Sequence, residues 1–223
     1  MVINIVDTTA PVISLSGSNP LTVECHTSFT DPGATAADAC AGTVAVQSSG
    51  SVNVNAPGSY TLTYTATDGA HSATATRTVT VVDTTPPSLT LKPDIQFWPP
   101  DHTYQTVTMS QMVASVSDGC STSLGINDVV IEKVTSDEPD NAPGDADGNT
   151  TKDIVIAADC KSVQLRAERD ETKNGRVYVV TLRVKDAAGN PTRKDFKVSV
   201  PISQSVPAVQ GSAAQTKTSS CSN

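Results

Sequence analysis

The sequence predicts an all-β protein made of two tandem β-sandwich domains followed by a C-terminal tail. Two observations carry this prediction. Short runs in which apolar and polar residues alternate recur along the chain, and such alternation is typical of strands with one buried face. The same series of runs and junctions also occurs twice, which is typical of repeated domains. No run shows the periodicity of a helix.

The predicted strands are all short, and turn residues separate them. Asn174-Gly175 stands between two alternating runs, a pattern that predicts a hairpin. Tyr60 and Tyr178 each open a penultimate strand, where a tyrosine corner would lie. The runs are Val52–Val54, Tyr60–Ala66, Thr74–Val82, Tyr104–Thr108, Val129–Val134, Ile154–Ile156, Val163–Leu165, Val177–Val184 and Phe196–Val200.

The repeat sets the domain boundaries. Val2–Leu15 recurs as Thr78–Leu91, each a strand, a D-T-T-x-P junction and a second strand. Tyr60–Asp68 likewise recurs as Tyr178–Asp186, and Asp38-Ala39-Cys40 as Asp118-Gly119-Cys120. We therefore expect one domain at 7–83 and an enlarged copy with an acidic loop at 84–202. Residues 1–6 would be the last strand of a preceding domain or an assembly strand, and the Ser/Ala/Thr-rich residues 203–223 a linker or disordered tail.

Composition excludes several functions. The chain has 223 residues and a net charge of −8. This charge argues against nucleic-acid binding, because contacts to phosphates need clustered Lys and Arg side chains. No apolar run of 18 residues occurs, so membrane insertion is not expected. The three histidines lack an H-E-x-x-H or G-x-S-x-G context. We predict no enzyme activity and no catalytic residues, and Glu168, between Arg166 and Arg169, is expected to be ion-paired and structural.

The five cysteines indicate an oxidising compartment. Cys25 with Cys40 and Cys120 with Cys160 form one pair in each half, which we interpret as two disulfides. The alternative is four reduced, buried thiols. A zinc site is less favoured because no C-x-x-C spacing occurs. Cys221 has no evident partner and is either free or intermolecular.

One acidic segment predicts a calcium site. Residues 137–159 hold seven acids and a single base, Lys152. Oxygen ligands alternate from Asp145 to Asp153 between turn-forming glycines, which suits Ca²⁺ without matching an EF-hand. The alternative is a solvated acidic loop. The candidate ligands are Asp137, Glu138, Asp140, Asp145, Asp147, Asn149 and Asp153.

Two weaker patterns have simpler explanations. Asp7, Asp31, Asp68 and Asp83 lie near the predicted domain ends and would share a cation there, but the turn chemistry of Asp is favoured. Trp98, beside Phe97 and near Tyr104, would stack on a sugar, although a Trp followed by two prolines more often closes the end of a sandwich.

These residues also carry a family resemblance. Asp7–Pro11, Asp31–Ala36, Gly58–Tyr60 and Tyr64–Asp68 match the pattern of bacterial immunoglobulin-like surface-protein repeats, which are related to hyalin repeats. The second unit resembles a longer C-terminal module of secreted bacterial proteins, through Trp98–Pro100, Ser136–Pro139, Leu165–Arg169 and Asn174–Tyr178. The resemblance covers about residues 1–201. It implies secreted or surface-attached immunoglobulin-like domains that are accessory to another part of a protein.

The expected function is that of a non-catalytic extracellular segment, a spacer, stalk, adhesive part or filament subunit of a surface or secreted protein. Calcium is the expected cofactor. The expected partners are neighbouring domains of a longer chain or other copies of the same chain, with a polysaccharide as a further candidate. The alternative is an accessory carbohydrate- or substrate-binding region of a secreted hydrolase.

Overall fold

The computed structural model describes residues 6–141 and 150–221. The chain divides into two compact units, Met1–Thr84 and Thr85–Asn223. Each unit is a β-sandwich, and this confirms the predicted all-β, immunoglobulin-like architecture. Within the described residues, no helix is long and apolar enough to cross a membrane. The predicted strand at residues 1–6 lies almost entirely outside the described part.

Unit 1 pairs a three-stranded sheet with a four-stranded sheet, in the orders β1-β3-β4 and β2-β7-β6-β5. Strand β2 runs parallel to β7, whereas β6 and β7 form a long antiparallel pair. The strands are β1 Val12–Leu15, β2 Leu21–Glu24, β3 Ala34–Asp38, β4 Gly42–Val44, β5 Val46–Ser49, β6 Gly58–Thr67 and β7 Ser72–Val82. The run Val52–Val54, predicted as a strand, is irregular here.

The core of unit 1 is small and includes a buried charge. Leu62, Tyr64 and Val79 form its centre, because alternate residues of β6 and β7 face inward. Arg77 is fully buried among them. Its guanidinium donates to the backbone oxygens of Ser16, Ser18 and Gly33. The only basic residue of this unit therefore holds loops together from within.

Unit 2 has the same plan with additions. Its five-stranded sheet has the order β17-β12-β15-β16-β9, and it is accompanied by the sheets β10-β14-β13 and β11-β8. The strands are β8 Ser88–Leu91, β9 Ile95–Gln96, β10 Tyr104–Thr108, β11 Val113–Ser117, β12 Val130–Ser136, β13 Ile154–Ile156, β14 Ser162–Arg166, β15 Arg176–Lys185, β16 Pro191–Val200 and β17 Gln215–Thr218.

The larger sheets of the two units share one arrangement of strands. Strand β9 pairs parallel with β16 as β2 does with β7, and β16 pairs antiparallel with β15 as β7 does with β6. Strand β12 then takes the place of β5. Unit 2 differs in its larger apolar core, which spans all three of its sheets.

Unit 2 contains two short helical turns that the sequence analysis did not predict. One is α1, Met109–Met112, and the other is a 3₁₀ turn, Ile126–Asp128. The Thr108 backbone N–H donates to Gln111 Oε1 at 2.9 Å, which satisfies one terminal donor of α1. Met109 and Met112 then point into the core. A single turn is too short to produce a helical period in the sequence.

The Asn174-Gly175 turn does not make the predicted hairpin. Strand β15 pairs with β12 and β16, whereas β14 pairs with β10 and β13. Gly175 has a φ of +89°, and a Cβ there would lie 2.8 Å from Ala208 Cβ. The glycine is needed for that close approach as well as for the turn.

The expectation of a linker or disordered tail is wrong for residues 215–221. Strand β17 adds antiparallel to the edge of β12, from Lys133 opposite Thr218 to Ser136 opposite Gln215. Arg183 Nη2 donates to the carbonyl of Cys221 at 2.7 Å. Composition misled here because an exposed edge strand needs few apolar residues, and β17 is almost entirely exposed.

Candidate functional site: the acidic segment and a buried charge cluster

In the described part of the acidic segment, residues 137–141 and 150–159, the acidic side chains do not form a group of free ligands. Asp137 accepts the N–H groups of Val177 and Gly211 at 2.8 and 2.9 Å. Asp140 accepts those of Lys152 and Asp153 at 3.2 and 3.1 Å. Each carboxylate thus fixes two backbone donors, which is the role that an Asp takes in loops.

Glu138 and Asp153 have a different partner. Both are fully buried, and both contact Arg176, which is buried as well. Arg176 Nε donates to Glu138 Oε2 at 3.1 Å, and Nη1 donates to Asp153 Oδ2 at 2.7 Å. The arginine therefore compensates the charge that a cation was expected to compensate.

The remaining candidates, Asp145, Asp147 and Asn149, lie outside the described residues. Among residues 6–141 and 150–221, no three acids of the segment offer ligand atoms within 4.8 Å of one another. The acids in the described part of the segment are thus held by backbone donors and by arginine side chains.

Arg176 is the centre of what we call the Arg176 cluster, formed with Glu138, Asp153, Glu168 and Tyr178. Its Nη1 also lies 3.3 Å from Glu168 Oε1 and donates to the Tyr178 hydroxyl at 3.0 Å. That hydroxyl donates to the carbonyl of Arg166 at 2.9 Å. Tyr178 therefore lacks the local contact of a tyrosine corner, whereas Tyr60 makes one by donating to Ala56 O at 2.8 Å.

Arg166 closes the cluster on its outer side. Its Nε lies 3.6 Å from Asp153 Oδ1 and 3.8 Å from Glu168 Oε2, and its guanidinium stacks 4.0 Å from the centre of the Tyr104 ring. Glu168 lies against the guanidinium groups of both Arg166 and Arg176, in the structural position that the sequence predicted for it. Arg169 instead donates to the carbonyl of Pro201 at 3.1 Å.

Burial sets the protonation of the cluster. It raises the pKa of Glu168 to about 8, with a further contribution from the hydrogen bond to Asp153. Burial also raises the pKa of Glu138, although Asp170 and Arg176 oppose the shift. The raised pKa favours the protonated form of Glu168 at neutral pH, so this carboxyl group adds no full negative charge beside the guanidinium groups of Arg166 and Arg176.

This chemistry suits a structural role. The cluster ties β12, β14, β15 and the residues around Asp153 together, and Arg176 and Glu168 are closed to solvent. The cluster was missed in the sequence because Arg176 directly precedes the apolar run Val177–Val180, which was interpreted only as strand core. A charged residue at the start of such a run is the one signal that could have indicated it.

The aromatic residues near Trp98 do not form a stacking platform. Trp98 is 41% exposed, but Phe97 is buried in the core. Tyr104 stacks on Arg166 and donates its hydroxyl to Lys152 O at 2.6 Å. The cavity beside Trp98 has a volume of about 190 Å³, which is below the range of most ligand pockets.

The cysteines pair differently from the prediction. Cys160 is bonded to Cys221, so the expected bridge between Cys120 and Cys160 is wrong. Cys40 is free and exposed, so the expected bridge between Cys25 and Cys40 is wrong too. Cys25 and Cys120 are both disulfide-bonded. Pairing by sequence proximity failed because strand order, and not separation along the chain, decides which sulfurs meet.

Comparison with known proteins shows that part of the chain is similar to a known family. Residues 13–81 match the family described as "Bacterial surface protein, Ig-like domain". The match covers less than half of the chain and falls within unit 1. It supports an immunoglobulin-like surface domain there, whereas the resemblance to hyalin repeats and to a C-terminal secreted module gains no support. A search of curated proteins found no match.

Solved structures resemble the chain only loosely. The lipoprotein BT2262 from Bacteroides thetaiotaomicron is 17% identical over 84% of this chain and 98% of its own, with a TM-score of 0.31. Mouse cadherin-23 EC22-24 is 13% identical over 87% and 67%, with a TM-score of 0.38. The titin domains z1z2, solved with telethonin, are 16% identical over 89% and 98%, with a TM-score of 0.36. At these scores the likenesses carry no weight for function.

Proposed function

We propose that the chain is a non-catalytic extracellular structural or adhesive segment, a spacer, stalk or filament subunit of a bacterial surface or secreted protein. The observation that carries the proposal is the match of residues 13–81 to a bacterial surface immunoglobulin-like domain. The bonded cysteines support an oxidising environment outside the cytoplasm. Neighbouring domains or other copies of the chain would be its partners.

The charge chemistry of unit 2 supports the structural part of this proposal. Its buried acids are held by arginine and by backbone donors. A groove of about 480 Å³ runs along β13 and β17. Its lining mixes Asp140 and Lys152 with aliphatic side chains and contains no aromatic ring, so it lacks the stacking surface typical of sugar sites.

Sedimentation and glycan binding test this proposal together. A spacer should sediment as a monomer, and a filament subunit should sediment faster as its concentration rises, with neither form retained on immobilised polysaccharides. Self-association that persists in a reductant would come from filament contacts. Self-association that a reductant abolishes would come from disulfide cross-linking through Cys40. Retention on a polysaccharide would contradict the proposal and favour the alternative, an accessory binding region of a secreted hydrolase.

We further propose that calcium stabilises unit 2 through the acidic segment. Arg176 compensates the charge of Glu138 and Asp153. The calcium proposal therefore depends on Asp145, Asp147 and Asn149. A ligand that binds only the folded state at about 100 times its Kd stabilises that state by about 2.7 kcal/mol. Melting should therefore rise in millimolar Ca²⁺, and replacing Asp145 and Asp147 together by Asn should remove the gain.

The matched control is Asp159→Asn, an exposed acid of the same segment whose carboxylate accepts the Lys161 N–H at 3.0 Å. This variant should keep the response to calcium. Equal melting of the native chain in calcium and in chelator would contradict the calcium proposal without touching the structural one.

A further inference from the structure

Three side chains at one end of unit 1 converge. Asp7, Asp68 and His71 each offer one ligand atom, and these atoms lie within 4.8 Å of one another. Asp7 precedes β1, and the other two residues belong to the turn between β6 and β7. We propose that these residues bind a divalent transition-metal ion of the Zn²⁺ class.

The strongest evidence is an oxygen of Asp68 without a partner. The Asp68 side chain is 1% exposed. One oxygen, Oδ1, accepts the N–H groups of Ala70 and His71 at 2.7 Å each. The other oxygen, Oδ2, is buried and accepts no hydrogen bond from the described residues. His71 Nδ1, which lies 3.9 Å from this oxygen, has no hydrogen-bond partner among them either. Buried polar atoms without partners are rare in folded proteins because desolvation is costly.

The second unit provides an internal comparison. Asp186 is the counterpart of Asp68 in the repeat. Its Oδ1 accepts the Asn190 N–H at 2.8 Å, and its Oδ2 accepts from Asn190 Nδ2 at 2.8 Å. Unit 2 thus satisfies both oxygens within its own turn. Unit 1 has His71 in this turn instead. A bound cation would be coordinated by both Asp68 Oδ2 and the imidazole nitrogen and would give each of these atoms a partner.

The ligand atoms decide the class of metal. Calcium takes oxygen ligands, whereas a set of two carboxylates and an imidazole suits Zn²⁺ and similar ions. Asp7 also lies within 4.8 Å of Asp38 and Cys40, which adds negative charge and a soft ligand beside the site. Arg77, the single base between residues 7 and 83, is occupied with Tyr64 and backbone carbonyls, so it does not compensate these acids.

Titration calorimetry of the whole oxidised chain with Zn²⁺ tests the proposal. We expect one ion per chain. His71→Ala removes a ligand directly and should weaken binding by at least roughly tenfold. Asp68→Asn should do the same while keeping Oδ1 for the turn, so its unfolding midpoint without metal should stay unchanged. His26→Asn is the matched control, an exposed histidine of the same unit at a φ of 58° that Asn tolerates.

Cobalt gives a spectroscopic readout. Co²⁺ bound at this site should show visible d–d bands that His71→Ala abolishes, and a thiolate-to-cobalt band would add Cys40 as a further ligand. Zinc binding that is absent, or equally strong in His71→Ala and Asp68→Asn, would overturn the proposal. So would a preference for Ca²⁺ that does not depend on His71, because an oxygen-only site would then be present.

Discussion

Arg77 Nε donates to the Tyr64 hydroxyl at 3.1 Å, and both side chains are fully buried in unit 1. The hydroxyl donates in turn to Asp31 Oδ1 at 2.6 Å. This short chain of hydrogen bonds links β7 through β6 to the loop that carries Asp31. A charge in so small a core is tolerated because every face of the guanidinium has an acceptor.

Replacing Arg77 by Met should therefore destabilise unit 1. The change leaves the carbonyls of Ser16, Ser18 and Gly33 without their donor, and we expect a loss of about 3 kcal/mol. Arg77→Lys should recover only part of it, since an ammonium lacks the planar fork. Hydrogen exchange in β6 and β7 measures the effect.

The control is Arg193→Met, at an exposed ion pair with Glu132, which should change hydrogen exchange in β6 and β7 little. Equal effects of the two Met variants on this exchange would refute this account.

Glu168 should make the stability of the chain depend on pH. Its pKa of about 8 in the folded state lies above the ordinary value of 4.5, so the folded state binds the extra proton between these values. The free energy of unfolding should then fall as the pH rises from about 5 to 8, by at most about 1.4 kcal/mol per pH unit from this group.

The variant Glu168→Gln should lose that part of the slope, because its amide stays neutral and can still donate to Asp153. It should be more stable than the native chain at pH 8 and similar to it near pH 5. Urea midpoints between pH 5 and pH 9 provide the measurement. The exposed neighbour Glu171, changed to Gln, is the control, and parallel pH profiles for all three proteins would show that Glu168 does not titrate as described.

The bond between Cys160 and Cys221 should hold β17 in place. The two residues are 61 positions apart, and closing a loop of this length stabilises by about 4 kcal/mol in the chain-entropy model. Cys221→Ser should lower stability by an amount of that order and raise hydrogen exchange at Gln215–Thr218. Ser220→Ala should leave both unchanged. Full protection of β17 in Cys221→Ser would mean that strand pairing alone is sufficient.

Cys40 should be the single thiol that reacts in the native, non-reduced protein. The negative charge of Asp7, together with partial desolvation, raises the pKa of its thiol, which lowers the fraction of reactive thiolate. Alkylation at neutral pH should therefore be slow, and Asp7→Asn should accelerate it. Mass spectrometry should find one label per chain, and none in Cys40→Ala. A label on Cys25 or Cys160 in unreduced protein would contradict the assigned bonding.

The strands were largely predictable, and the long-range contacts were not. Tyr104–Thr108 and Ile154–Ile156 were predicted with the bounds that the structure has, because their alternation reflects a buried face directly. Val52–Val54 alternates too, yet lies outside both sheets of unit 1. Sulfur pairing, the role of β17 and the burial of Arg176 depend on which strands become neighbours, and a local pattern carries no information about that.

The candidate site shows the same limit. The acid density around Asp153 was visible in the sequence, but the arginine that compensates it comes from a strand 23 residues away. Asp68 was identified as a turn residue, which is right for Oδ1. That its second oxygen is buried beside His71 could not be inferred, because this depends on how the turn packs.

The Cys160–Cys221 bond also has a mechanical consequence. It encloses strands β14 to β17 in one covalent ring, so a pull on the chain beyond Cys221 is transmitted through sulfur to Cys160 and does not peel β17 from β12. With 61 residues at about 3.4 Å each, roughly 200 Å of chain cannot be drawn out while the bond holds. Under tension, this part of unit 2 would lengthen only after reduction, so the redox state of one bond would set how far the protein can stretch.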